Sequence, residues 1–121
     1  MKRLGFFVLI VILSCNKDDT DDRDTFLGKL VVKGICMNYV IQVNDNNFPT
    51  NILEENWTNE FSEIEYQNVF ALKSVCDFPE NIKEGDAFSF VIDNDKENLC
   101  AVCLAYSPVP RKAVSITVKE N

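Results

Sequence analysis

From Phe26 onward the apolar residues recur every second position, a period that builds strands and leaves almost no room for helices. Leu30 and Val32 alternate with Lys29, Val31 and Lys33, and Tyr39, Ile41 and Val43 share one face of the next run. Phe70 and Leu72 repeat the pattern within 69–75. Phe88, Phe90 and Ile92 alternate with Ala87, Ser89 and Val91, and Val114, Ile116 and Val118 alternate with Ser115, Thr117 and Lys119. The run from Leu99 to Tyr106 is apolar almost throughout, which predicts a strand covered on both faces. Turn residues separate the runs: Gly34, Asp45-Asn46-Asn47, Pro79-Glu80-Asn81, Glu84-Gly85-Asp86, Asp93-Asn94-Asp95 and Pro108-Val109-Pro110.

One stretch departs from this period. Between Thr50 and Ser62, Ile52, Leu53, Trp57 and Phe61 stand near helical spacing, with Thr50 or Asn51 as N-cap, which predicts a short helix or an irregular loop. Six strands with one such insertion predict a small antiparallel barrel or sandwich, OB-like in type, occupying residues 26–121 as a single domain.

The chain has 121 residues, of which 46% are hydrophobic, enough for a core. Its formal charge is −7, with Lys+Arg 12 against Asp+Glu 19, so phosphate backbones are repelled and nucleic acid is not an expected partner. Histidine is absent, which removes the commonest general base and metal ligand together. Catalysis would fall to carboxylates or thiols.

The first residues carry a different message. Lys2 and Arg3 precede an apolar run from Leu4 to Leu13, far short of the roughly 20 residues that span a bilayer as a helix. A basic start and a short apolar stretch fit a secretory signal. Ile12-Leu13-Ser14-Cys15 resembles the lipobox of bacterial lipoproteins. That resemblance implies cleavage after residue 14 and lipid, palmitate included, on Cys15. Multiple acyl chains at about 0.8 kcal/mol per buried CH₂ would hold the chain on a membrane. Residues 15–25 then read as an acidic tether, since Asn16 to Asp24 includes no apolar residue and self-repels. Cys15-Asn16-Lys17-Asp18-Asp19 is similar to the lipoprotein export signal of Bacteroidetes. By that resemblance Lys17, Asp18 and Asp19 direct the protein to the outer membrane and its cell-surface side, with the periplasmic side as the alternative.

Five cysteines are odd in number, and setting Cys15 apart leaves four. In an oxidising compartment Cys36, Cys76, Cys100 and Cys103 read as two disulfides. On one strand, Cys100 and Cys103 would point to opposite faces and should not bond each other. Cys76 falls in phase with Phe70 and Leu72, and Cys100 with Val102 and Leu104, which favours Cys76–Cys100 and Cys36–Cys103. The domain also resembles small Bacteroidetes lipoprotein domains with a G-x-C…C-D-F-P…E-G-D…C-x-V-C arrangement. Gly34, Cys36, Cys76 to Pro79, Glu84 to Asp86 and Cys100 to Cys103 match it. The resemblance implies no activity.

Other constellations are thin. Cys100-Ala101-Val102-Cys103 has thioredoxin spacing, but the residues lie in an apolar run rather than at a helix start. Asp93-Asn94-Asp95 lacks the glycine of a calcium loop and reads as a turn. Glu54, Glu55, Glu60, Glu63 and Glu65 could supply a pair of catalytic carboxylates, although nothing sets their separation. No cofactor is implied. Of Trp57, Phe48, Tyr66 and Tyr106, Trp57 lies amid polar residues and is the candidate binding anchor, or else a plug at an open barrel end. The expected function is a membrane-anchored binding or scaffold module for a protein or glycan partner, rather than an enzyme. A metal- or redox-active thiol protein using the four domain cysteines is the alternative.

Overall fold

The computed structural model describes residues 24–120, so Cys15, Lys17, Asp18 and Asp19 lie outside the described residues. The described chain is all-β. Its strands are β1 (Thr25–Lys33), β2 (Tyr39–Val43), β3 (Glu54–Thr58), β4 (Glu65–Leu72), β5 (Ala87–Ile92), β6 (Ala113–Val114) and β7 (Ile116–Lys119). They form one sheet in the order β3-β4-β2-β1-β5-β7, with β6 pairing to β4 off this path.

The long first strand organises the wrap. Residues 28–33 of β1 pair with β2, while Thr25 to Lys29 pair with β5 on the other edge. β5 pairs antiparallel with β7, and β6 runs parallel to β4 through Ala71 opposite Ala113 and Leu72 opposite Val114. Only Ser115 separates β6 from β7, so this last stretch of chain meets β4 at its start and β5 along its length. The sheet therefore curls into a partly open, OB-like barrel, with β3 outermost beside the first half of β4. The seam at β6 is short. It is extended by backbone bonds from Ala71 N–H to the Lys112 carbonyl (2.8 Å) and from Lys73 N–H to the Val114 carbonyl (2.9 Å). Beyond them, the buried Ser74 hydroxyl accepts from Ile116 N–H at 2.8 Å and donates to the Ile116 carbonyl at 3.0 Å.

Phenylalanines fill the interior. Phe70 and Phe90 are fully buried beside Leu30 and Ile41, and Phe26 and Phe48 close the same cluster. The Phe48 and Phe70 rings stack 5.9 Å apart, and Phe26 meets Phe48 edge-on at 4.9 Å. Gly28 permits this packing, because a Cβ there would stand 2.8 Å from the Phe90 ring and 3.2 Å from Ile41. A bulge between Leu30 and Val32 shifts the alternation, so Leu30 faces the interior while Val32 joins Val40 and Val69 in a second, outer cluster.

Two expectations fail. Leu99 to Tyr106 is not a covered strand: it pairs with no strand and every residue in it is exposed. The open edges at β3 and β7 are not used; two disulfides, from Cys100 and Cys103, fix the segment instead. The 50–62 insertion contains a 3₁₀ turn at Thr50–Ile52, but the part around Trp57 is strand β3, hydrogen-bonded to β4. The apparent helical spacing of Leu53, Trp57 and Phe61 spans a strand and the turn that follows it. That turn is closed by Asn59, whose Oδ1 accepts from Phe61 N–H at 2.9 Å and whose backbone N–H bonds the Ile64 carbonyl at 2.9 Å.

Candidate binding face

Trp57 does not enter the interior. It stands directly opposite Tyr66 in the β3–β4 pairing, the two rings stack at 5.9 Å, and both pack on the outer cluster of Val32, Val40 and Val69. Strict alternation would send Tyr66 to the same side as Phe70. Asn68 breaks it, with a left-handed backbone (φ 56°) that a short polar side chain tolerates, and Tyr66 thereby joins the side of Val69. A barrel plug at Trp57 is thus excluded by its packing on the outside, half-buried.

The tip of this hairpin meets the Leu99–Tyr106 segment. Phe61 and Tyr106 contact edge to face at 5.9 Å, and the Tyr106 hydroxyl donates to Glu60 Oε1. Two disulfides fix the segment. Cys76 bonds Cys100 and Cys36 bonds Cys103, the pairing expected from the sequence, although the strand on which that expectation rested does not exist. Cys36 lies in a 3₁₀ turn at Ile35–Met37, where Cys36 and Met37 both take positive φ. The turn is also held by Asn38, whose Nδ2 donates to the Ile35 carbonyl at 2.8 Å and to the Ala105 carbonyl at 3.4 Å. Gly34 is required where these pieces meet, since a Cβ would fall 2.6 Å from both the Asn38 carbonyl oxygen and Ser107 Oγ. On the other side, Asn98 Oδ1 accepts from Cys76 N–H at 3.0 Å and Cys100 N–H donates to Cys76 Sγ at 2.9 Å.

The result is a stapled segment with its apolar side chains turned outward. Leu104 is 96% exposed, Leu99 84%, Tyr106 67% and Phe61 66%, with Ile35, Met37, Ile64 and Val102 also exposed. Leaving such a concentration of large apolar groups in water costs free energy, and contiguous patches of this kind mark interaction sites. The sequence places Tyr106 and Trp57 among the candidates but misses Phe61, Leu99 and Leu104. For Leu99 and Leu104 the signal is an apolar run without alternation that contains two cysteines; Phe61 carries no such mark in the sequence.

The electrostatics are one-sided. Residues 54–65 carry Glu54, Glu55, Glu60, Glu63 and Glu65 with no Lys or Arg among them. The Tyr106 phenol is pushed up by its hydrogen bond to Glu60, and Tyr66 by partial burial and then by the charge of Glu84. Lys112 Nζ donates to the Leu53 carbonyl (3.0 Å) just before β3, at the end of the hairpin away from its tip, and Lys96 pairs with Asp77 at 3.0 Å.

The remaining candidates do not converge. A groove of about 380 Å³ at the far end of β2 is lined by Val43, Asn44, Asp45, Asn46, Phe48, Thr50, Leu53 and Asn68, and a neighbouring one adds Glu55. Each brings a single carboxylate, not the pair that a carboxylate hydrolase uses. The four domain cysteines are tied up as disulfides and present no thiolate for redox or metal chemistry in this state. Compared with known proteins, the chain matches no family model, and no curated protein or solved structure is significantly similar to it.

Proposed function

We propose that the protein is a lipid-anchored surface module that binds a partner through the face built by Trp57, Phe61, Leu104 and Tyr106. The observation that carries the binding role is the outward apolar segment: two disulfides and a glycine are spent to hold Leu99–Tyr106 out of the core. A chain that needed these side chains only for stability would bury them. Anchoring rests on Ile12-Leu13-Ser14-Cys15 and on Lys17-Asp18-Asp19, which suit lipidation and export to the outer membrane. Disulfides are consistent with an extracytoplasmic location.

Metabolic labelling with a palmitate analogue tests the anchor. Wild type should incorporate label and partition with membranes, and Cys15→Ala should do neither. Label retained by the variant refutes lipidation at Cys15. Replacing Lys17, Asp18 and Asp19 by alanine should keep the label but protect the protein from protease added to intact cells. Unchanged digestion refutes their role in export.

A further inference from the structure

The face just described has a chemical character that selects its occupant. We propose that it binds a protein segment in which Lys or Arg side chains alternate with apolar ones; this rests on the reading of the face as a binding site and names its partner class.

Three observations lead there. The apolar floor of Phe61, Leu104 and Tyr106 calls for apolar side chains, because exposed groups of this size gain from mutual burial. Glu60, Glu63 and Glu65 lie at the tip of the hairpin beside it, with no Lys or Arg between them in sequence, and Glu60 is joined directly to the floor through Tyr106. The aromatic faces of Trp57 and Tyr106 are further sites for a cation, Arg above all. On an extended segment alternation turns the apolar side chains to the floor and the cations to the other face, from which the long Lys and Arg stems reach round to the glutamates that flank the floor.

Charge disfavours the other occupants. A second copy of this chain in a two-fold dimer would set the acidic hairpin against the same acidic surface, where like charges repel. An anionic membrane surface is repelled for the same reason. Geometry adds to this. The chain enters β1 at Thr25, whereas the face adjoins the turn after Lys33, and nine extended residues put about 25–30 Å between the two ends. A tether attached at Thr25 holds one end of the barrel, and the face belongs to the other.

Trp57 is the sole tryptophan and therefore a local reporter. The full chain, in nanodiscs of zwitterionic lipid with empty nanodiscs as blank, would be titrated with a labelled heptapeptide of alternating Lys and Leu. Peptide anisotropy reports binding, and Trp57 emission reports where it occurs. Saturable changes in both are expected. Binding should weaken by about tenfold or more when the salt is raised from about 50 to about 500 mM, since exposed charges are then screened. Glu60→Gln with Glu63→Gln and Glu65→Gln should weaken it similarly, and Leu104→Ser should weaken it at every salt concentration. A Glu-Leu peptide should not bind, and a Lys-Gly peptide should bind at least about tenfold more weakly, for want of the apolar term.

No anisotropy change overturns the proposal, as does a rise in anisotropy that leaves Trp57 silent. Equal binding of the Lys-Gly or the Glu-Leu peptide overturns it in favour of charge alone or apolar contact alone. Self-association that is lost in Leu104→Ser overturns it in favour of a second copy. If the palmitate experiment fails, the anchor reading falls and the same titration is run on the chain free in solution, so the two readings fail separately.

Discussion

Ser74 shows how much a single hydroxyl contributes to this barrel. It is 3% exposed and bonds both the N–H and the carbonyl of Ile116, at the point where the parallel seam between β4 and β6 runs out. Ser74→Ala leaves both backbone groups buried without that partner, so a loss of about 2–3 kcal/mol is expected in urea denaturation. A change below about 0.5 kcal/mol would mean that water replaces the hydroxyl at no cost. Tyr66 supplies a second test. Partial burial and then the charge of Glu84 raise its phenol above the ordinary value of about 10. The unfolded chain therefore loses this proton at lower pH than the folded one. The associated stability is complete below pH about 10 and is lost as pH rises through the folded-state value. Glu84→Gln keeps an acceptor for Lys33 N–H but removes the charge. Phenolate absorbance, read in a background carrying both Tyr39→Phe and Tyr106→Phe, should show the midpoint of Tyr66 moving down. A midpoint that does not move contradicts the assigned influence of Glu84.

At the scale of elements, the two disulfides divide the labour unequally. Cys36–Cys103 closes a separation of 67 residues and Cys76–Cys100 one of 24, so constraint of the unfolded chain predicts about 4.4 and about 3.5 kcal/mol respectively. Paired alanine variants should follow that order of stability, and the reverse order would show that local packing outweighs loop closure. The elements also show what the sequence can and cannot disclose. β2 and β5 stand where alternation puts them, Ile41 and Phe90 facing the interior, although Val40 and Val91 on their other faces are buried as well. β1 does so as well, although its bulge, which sends Val32 outward, leaves no mark in the pattern. The Leu99–Tyr106 run misleads because apolar content alone supplies no pairing partner, and here two disulfides rather than ladder bonds fix the segment. The disulfide pairing is legible for a less local reason: four cysteines allow few pairings, and neighbours three apart on an extended chain do not readily bond. Trp57 stands out by its polar surroundings, whereas its partnership with Tyr66 depends on the left-handed Asn68, which only the folded chain shows.

For the whole molecule, the barrel separates two ends. Chain entry lies at one, and at the other an apolar segment is stapled outward beside an acidic hairpin. Nothing in the phenylalanine core requires that segment, since the inner cluster is complete without any residue from 99–106. We read the molecule as a stable barrel with a fixed interaction face at the end remote from chain entry at Thr25. The most direct measurement is photo-crosslinking on intact cells, with a benzophenone side chain placed at Leu104 or, as the matched exposed apolar control, at Leu27 in the chain-entry half of β1. A discrete higher-mass adduct is expected from position 104, none from position 27, and loss of the adduct when Glu60, Glu63 and Glu65 are changed to glutamine. Adducts of equal yield from both positions, or none from position 104, would contradict that reading.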